Sequence, residues 1–216
     1  MERILKTTTP VRERGKARRY AEIVSAAAGL WREHGIENVS LNQIAATAEV
    51  APQTVYNLIG GLDAIGFAVV ILVLDELDAT MSKSPASGTE LALETVRTAV
   101  KLLTNDSKLY RQVLVRIPKV LFDGTHLGRD LAEGQISAVR DAQTNNEISN
   151  EIDPVQLGKA MYTCYLGALY DWACGDSDDA DFLRSAEIAI LAPLAACGTN
   201  ASRPALTASL FARLSG

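Results

Sequence analysis

The sequence predicts an all-α protein with a small N-terminal head of three helices and a larger helical body. The chain has 216 residues, of which 48% are hydrophobic and 22% charged. That composition can fill a core, so intrinsic disorder is excluded. Ala and Leu are abundant and favour helix. Apolar residues recur at helical spacing along the chain, and no convincing strand pattern appears.

The charges are distributed unevenly along the chain. The net charge is −5, but residues 1–20 hold seven Lys or Arg against two Glu. Residues 61–216 hold thirteen basic against twenty acidic residues. A basic N-terminus on an acidic body is expected where one end of a protein meets an anionic partner.

Changes in composition divide the chain into four predicted segments. Residues 1–16 combine charge, Thr and Pro without an apolar period, which predicts a flexible basic arm. Residues 17–61 form the head, and residues 62–81 are a long apolar connecting helix. Residues 82–216 form the body, which begins with the loop sequence SKSPASG.

The head is predicted to contain a helix-turn-helix. Its first helix starts at Ala17, ends at Gly35 and has one apolar face. That face carries Ile23, Ala26, Ala27, Leu30 and Trp31. The spacing of Ser40 and Gln43 is that of a capping box, which opens a second helix from Leu41 to Ala48. Pro52 suits the first turn of a third helix, which runs to Ile59 and stops at Gly60-Gly61. A tight turn joins the last two helices.

The body is predicted to be helical with short breaks. The predicted helices span residues 89–104, 107–117, 125–145, 154–174, 179–197 and 205–214. Asp153 before Pro154, and the run Ser177-Asp178-Asp179, are typical N-caps. Gly175 is a typical C-terminal stop. Pro193 is expected to kink or end its helix, because proline has no backbone N–H.

The third helix of the head carries the clearest functional pattern. Gln53, Thr54, Tyr56 and Asn57 are polar, while Val55 can pack inward. Gln and Asn can each pair with two atoms of adenine in the major groove, and Thr can contact the thymine methyl group. Tyr hydroxyls and Ser40 are typical phosphate contacts. An ordinary helical hairpin is the alternative on topology alone.

Residues 18–67 resemble the DNA-binding domain of the tetracycline-repressor (TetR) family. The resemblance rests on Ile23-Val-Ser-Ala-Ala-Ala-Gly-Leu-Trp31, Glu33-His-Gly35, Ser40-Leu-Asn-Gln-Ile-Ala45 and Val50-Ala-Pro-Gln-Thr-Val-Tyr56, in order and spacing. It implies a homodimeric transcriptional regulator, usually a repressor, whose third helix reads the major groove of double-stranded DNA. It also implies that two C-terminal helices pair with their mates in a four-helix bundle, and that a small-molecule effector in the body releases the DNA.

The predicted DNA-binding residues combine the third helix with its surroundings. They are Arg18, Ser40, Gln43, Gln53, Thr54, Tyr56 and Asn57. Four positions depart from the family pattern. Leu62 stands where the family has a phosphate-binding Lys, Leu58 where His or Tyr is common, Ala51 where Ser caps the helix, and Glu49 where Gly makes the turn. A second interpretation is therefore a helical dimer that senses a small molecule or protein and has lost or weakened DNA binding.

Two sets of residues are predicted in the body. An apolar or aromatic ligand is expected to contact Leu103, Tyr110, Leu114, Ile117, Phe122, His126, Met161 and Tyr165. These residues combine apolar bulk with a few polar tips, as pocket linings do, although plain core is an equal alternative. The dimer interface is expected to contain Gly167, Leu169, Trp172, Ile190 and Leu194. Core packing is also an alternative for these residues.

An enzyme is the third and weakest interpretation. With His34 and His126 as the two histidines, we find no catalytic residues, metal site or cofactor motif. The three cysteines, an odd number without CxxC, predict a reduced cytoplasmic protein. The most apolar window, Ala64 to Leu74, has 11 residues and is too short to span a membrane.

Overall fold

A computed structural model describes residues 11–116 and 129–215, and it confirms the all-α prediction. The described residues form ten α-helices, a 3₁₀ turn over Ile36–Asn38 and an isolated β-bridge between Ile148 and Gly198. The helices are α1 (Val11–His34), α2 (Leu41–Thr47), α3 (Pro52–Leu58), α4 (Leu62–Met81), α5 (Gly88–Thr104), α6 (Ser107–Arg116), α7 (Glu133–Thr144), α8 (Pro154–Cys174), α9 (Asp179–Cys197) and α10 (Arg203–Leu214).

The chain divides into two compact units between Val69 and Val70. In the N-terminal unit, α2 and α3 pack on α1. The core of this unit is apolar and fully or almost fully buried. It consists of Ile23, Val24, Ala27, Ala28, Trp31, Ile36, Val39, Ile44, Ala45, Val55, Ile65, Ala68 and Val69. The predicted apolar face of the first helix is therefore correct at Ile23, Ala27 and Trp31, whereas Ala26 and Leu30 are half-buried.

Two helix starts differ from the prediction. Helix α1 begins at Val11, so residues 11–16 of the predicted arm are helical. Glu13, Arg14 and Lys16 are exposed and are good helix formers, so helix propensity extends the helix here. In the body, α7 begins at Glu133, and residues 129–132 are not helical. Asp130 Oδ1 instead accepts a hydrogen bond from the Ala132 amide at 2.9 Å, a local bond that competes with helix.

In the C-terminal unit, four helices pack in a ring. Helix α5 contacts α7, α7 contacts α8, α8 contacts α9, and α9 contacts α5. Helix α6 packs on α8, and α10 packs on α9. The predicted caps are confirmed: Asp153 accepts from the Val155 amide, Asp178 accepts from two amides, and Gly175 ends α8 with φ of 92°.

Of the two predicted effects of Pro193, a kink or an end of helix α9, the end does not occur. The helix continues through Pro193 to Cys197. The neighbouring side chains of Ile190, Leu191 and Leu194 are completely buried. We attribute the continuity to this packing, since burial of three large aliphatic side chains outweighs the loss of one backbone hydrogen bond.

A buried carboxylate joins three helices of this unit. Glu187 on α9 bonds Arg97 of α5 at 2.6 Å and Arg213 of α10 at 3.0 Å, and its side chain is 12% exposed. Partial burial opposes ionisation of Glu187, but hydrogen bonds from Arg213 and Arg97 outweigh it and lower the pKa of this carboxyl. The two ion pairs of Glu187 therefore stabilise the fold when its carboxyl group is charged.

We expect this carboxylate to make part of the stability depend on pH. Because the pKa of Glu187 is lower in the folded state, its contribution is present above the ordinary carboxyl pKa and is lost as the pH falls through the folded value. Urea unfolding of Glu187→Gln should therefore show its largest deficit against wild type near pH 7, and the deficit should shrink on acidification. The control is Glu151→Gln, on an exposed loop. A deficit that is constant with pH would contradict the assignment.

Among the described residues, no single helix is both long and apolar enough to cross a membrane. Only α3 and α4 taken together reach that length and composition, and they are bent by 58° at the break between them.

Candidate functional site

The helix-turn-helix is held by local hydrogen bonds that the sequence predicts. Ser40 Oγ accepts from the Gln43 amide at 3.3 Å, and Gln43 Oε1 accepts from the Ser40 amide at 2.8 Å. This is the complete capping box, and it confirms the predicted start of α2. Both side chains are exposed at the N-terminus of α2, an end that attracts anions such as phosphate.

The turn between α2 and α3 carries two departures from the usual residue choice. Glu49 has a φ of 54°, in the left-handed region that favours glycine. Ala51 precedes α3 and makes no side-chain cap. Pro52 occupies the first turn of α3, as predicted, where its missing N–H costs nothing.

Helix α3 presents an exposed polar face. Val55 is completely buried in the core, while Gln53, Tyr56 and Asn57 are exposed and Thr54 is half-buried. Gln53 Nε2 donates to Asn57 Oδ1 at 2.9 Å. The two amides, four residues apart on one helix face, thus form a linked pair. The pair retains the acceptor Gln53 Oε1 and the donor Asn57 Nδ2 for an outside partner.

The exposed face of α1 is basic near its start. Arg14, Lys16, Arg18 and Arg19 are all exposed. Arg18 lies 3.5 Å from Glu22 in an exposed pair one turn apart, which adds little stability and leaves the charge accessible. Leu62, at the first position of α4, is half-buried.

The C-terminal unit encloses a cavity of about 600 Å³. Its wall is mostly apolar and comes from α4, α5, α6, α7 and α8. The described residues that line it are Val70, Val73, Leu74, Leu77, Asp78, Met81, Leu91, Thr95, Val96, Ala99, Leu103, Leu114, Arg129, Asp130, Leu131, Glu133, Gly134, Gln135, Ser137, Tyr162, Tyr165 and Leu169. A cavity of this size and character suits a drug-sized molecule.

Three of the eight residues predicted to contact a ligand line this cavity: Leu103, Leu114 and Tyr165. Tyr110 and Met161 are not among its lining residues, and Met161 is completely buried in the core. Ile117, Phe122 and His126 lie outside the described residues. The contributions of α4 and α7 to the wall were not predicted from the sequence. For α4, the long apolar run was the sequence signal that could have indicated a contribution to the cavity wall. For α7, that signal was the polar Gln135 beside the apolar Ile136.

One arginine and two tyrosines are among the polar groups of the cavity wall. Arg129 bonds Asp75 at 2.5 Å and Asp78 at 2.9 Å, so its charge is paired. Tyr162 and Tyr165 lie on α8, and burial raises the pKa of both phenols well above the usual range. Both hydroxyls therefore stay protonated at neutral pH, and they can donate as well as accept a hydrogen bond.

The residues predicted for the dimer interface occupy two different environments. Leu169, Trp172, Ile190 and Leu194 are at most 3% exposed within the single chain. They form the core where α8 and α9 pack, so they have no side-chain surface left for a partner. Gly167 is exposed on α8. An apolar periodicity alone could not separate these two roles, because both place apolar residues on one helix face.

The described residues contain no group of three or more His, Cys, Asp or Glu side chains arranged to hold a metal ion. All three cysteines are free, with Cys164 and Cys174 exposed and Cys197 half-buried.

Residues 23–58 match the family profile described as bacterial regulatory proteins, tetR family. No curated protein matches the sequence. Three similar solved structures cover most of the chain. SmeT, the repressor of the multidrug efflux pump SmeDEF of Stenotrophomonas maltophilia, is 20% identical, with 85% of this chain and 92% of SmeT covered and a TM-score of 0.62.

The other two structures also cover most of this chain. RolR in complex with resorcinol is 20% identical, with 90% of this chain and 96% of RolR covered and a TM-score of 0.62. CprB from S. coelicolor A3(2), described as a TetR family protein, is 17% identical, with 89% of this chain and 97% of CprB covered and a TM-score of 0.57. At these identities the likeness shows a shared fold.

The family profile covers α2, α3 and the C-terminal half of α1. The solved structures extend the similarity to the helical C-terminal unit. Residues 23–58 therefore match the tetR family of bacterial regulatory proteins, and the chain as a whole has a TetR-like fold, with an N-terminal helix-turn-helix and a helical body.

Proposed function

We propose that the chain is a ligand-responsive transcriptional repressor that acts in the cytoplasm as a homodimer. The observation that carries this proposal is the exposed amide pair of α3 on a helix-turn-helix that matches the TetR profile. Two copies of α3 enter successive major grooves, about 34–36 Å apart, on a near-palindromic operator. An effector in the cavity favours a conformer in which the separation of the two α3 helices does not fit the operator, and the DNA is released.

Within each half-site, the linked amides carry the specificity. Adenine presents an N6 donor and an N7 acceptor in the major groove. Gln53 Oε1 accepts from N6, and Asn57 Nδ2 donates to N7 of the same or the next base. Thr54 contacts a thymine methyl group. Arg18, Ser40, Gln43 and Tyr56 contact phosphates, which adds affinity without specificity.

The effector is a small apolar or aromatic compound. This is supported by the aliphatic and aromatic wall of the cavity, from Val73 on α4 to Tyr165 on α8. It is also supported by the occurrence of resorcinol, a small aromatic, in the structure of RolR.

The dimer uses the exposed faces of α8 and α9 and not the buried residues between them. Ala160, Thr163, Cys164 and Gly167 are exposed at helical spacing on α8, and Ala192 and Ala196 are exposed on α9. Small side chains on two neighbouring helices allow the helices of a second copy to approach closely.

The test is DNA binding by fluorescence anisotropy over a salt series, with fragments from upstream of the chain's own gene. We expect tight binding to one fragment, and a loss of about 100-fold or more in the variant Gln53→Ala/Asn57→Ala, since each base contact contributes about 1–3 kcal/mol in each protomer. Gln156→Ala/Asn200→Ala, two exposed amides in the C-terminal unit, is the control and should bind as wild type does.

Affinity for the preferred fragment that is unchanged by the α3 substitutions would contradict the assignment of specificity. Weak binding to every fragment would instead favour a second function, a ligand sensor without specific DNA binding. The half-buried Leu62 at the start of α4 supports this second function, because a Lys at this position would add a phosphate contact in each protomer and Leu cannot.

A further inference from the structure

One polar group in the cavity wall has no partner among the described residues. Gln135 on α7 borders the cavity and is 6% exposed. Its Nε2 donates to the Ala92 carbonyl at 3.3 Å, while its Oε1 is buried and accepts no hydrogen bond. A buried acceptor without a donor is costly and uncommon in native proteins.

The amide of Gln135 cannot satisfy its own oxygen by turning over. Exchange of Oε1 and Nε2 would place the oxygen against the Ala92 carbonyl, so two acceptors would meet. The terminal torsion of Gln is soft, however. Oε1 can therefore turn toward a donor in the cavity.

The charges of the wall oppose an anionic occupant. Asp78, Asp130 and Glu133 line the cavity, against the single cation Arg129 among its described lining residues. Arg129 already bonds Asp75 and Asp78. Glu133 in turn bonds Arg140 at 3.2 Å. A carboxylate in the cavity would therefore find no unpaired cation among the described lining residues, and it would face the carboxylate of Asp130.

We propose that the cavity selects neutral aromatic alcohols, and that the ligand hydroxyl donates to Gln135 Oε1. This inference rests on the ligand-binding role proposed for the cavity. The aromatic skeleton packs on the aliphatic wall formed by residues such as Val73, Leu77 and Leu103. The hydroxyl satisfies an acceptor that is otherwise buried without a partner, and this is the source of the preference.

Three probes with one ring skeleton test the proposal. They are 4-phenylphenol, which has a donor, 4-methoxybiphenyl, which has only an acceptor, and biphenyl-4-carboxylate, which is an anion. Calorimetric titration of the full chain is expected to give affinity for the phenol about tenfold above that for the ether, with the carboxylate weakest. The titration needs no DNA, so it is independent of the outcome of the operator experiment.

Gln135→Met, which keeps the length of the side chain and removes the acceptor, should bring the phenol-to-ether ratio close to one. Thr95→Val is the control. Thr95 also lines the cavity, but its hydroxyl already donates to the Leu91 carbonyl at 2.8 Å, so the ratio should stay near ten. Equal affinities in wild type, tightest binding of the carboxylate, an unchanged ratio in Gln135→Met, or no binding of any probe up to its solubility would each overturn the proposal. If Gln135→Met fails to fold, the phenol-to-ether affinity ratio of the wild type still tests the proposal.

Discussion

Replacement of Trp172 by Ala is expected to cost about 3–5 kcal/mol of unfolding free energy. The side chain is completely buried. Its ring stacks on Phe182 with centroids 4.8 Å apart, and the Arg111 guanidinium lies 4.7 Å from its centre. Its Nε1 donates to Asp179 Oδ1 at 2.7 Å. One substitution therefore removes a large apolar volume and leaves a carboxylate and a guanidinium without their common partner.

Urea unfolding of Trp172→Ala measures this loss, and Cys174→Ala, exposed two residues further along α8, is the control. The experiment also separates core from interface. Substitution of a core residue lowers the unfolding free energy of each chain. Substitution of an interface residue would instead weaken self-association, which sedimentation equilibrium measures. A variant that dissociates without loss of chain stability would contradict the core assignment.

Two glycines on α8 are expected to respond to the same substitution in opposite directions. A Cβ at Gly158 would lie 2.6 Å from Ile136 Cγ1 and 2.7 Å from its Cα and backbone N, because α8 crosses α7 at this point. The backbone cannot give way without parting the helices. We expect Gly158→Ala to lose about 2 kcal/mol or more, since overpacking exceeds the gain in helix propensity.

Gly167 supplies the matched control within the same helix. No atom lies within 4 Å of a Cβ built there, so Gly167→Ala should gain up to about 1 kcal/mol from helix propensity alone. Thermal and urea unfolding of both variants check the contrast. Similar changes in the two variants would mean that the crossing of α7 and α8 is looser than the structure has it. Because the proposed dimer face contains Gly167, sedimentation of this variant should accompany the unfolding measurements.

The outcome at the helix-turn-helix illustrates what local sequence can predict. The Ser40–Gln43 capping box, Pro52 at the start of α3 and the exposed polar face of α3 depend on contacts within four residues. Such contacts recur whenever their spacing recurs, so they can be identified from the sequence. The roles of Gln53, Thr54 and Asn57 on DNA stay predictions.

The cavity illustrates the opposite case. The bulk and polarity of Leu103, Leu114 and Tyr165 predict these residues as cavity wall, but Val73, Gln135 and their neighbours belong to the wall because α4, α5, α7 and α8 meet there. The same limit explains Trp172, whose apolar helix face fits an interface as well as a core until the burial of the single chain is known.

The fold class, the helix-turn-helix and the N-caps of α2, α8 and α9 follow from the sequence alone, because helix periodicity and capping act over one or two turns. Three other features depend on the packing of distant helices. These are the ion pairs of Glu187 with α5 and α10, the contact of Gly158 with α7, and the position of Gln135 beside the cavity. Each joins residues more than twenty positions apart, and their contact depends on how whole helices pack.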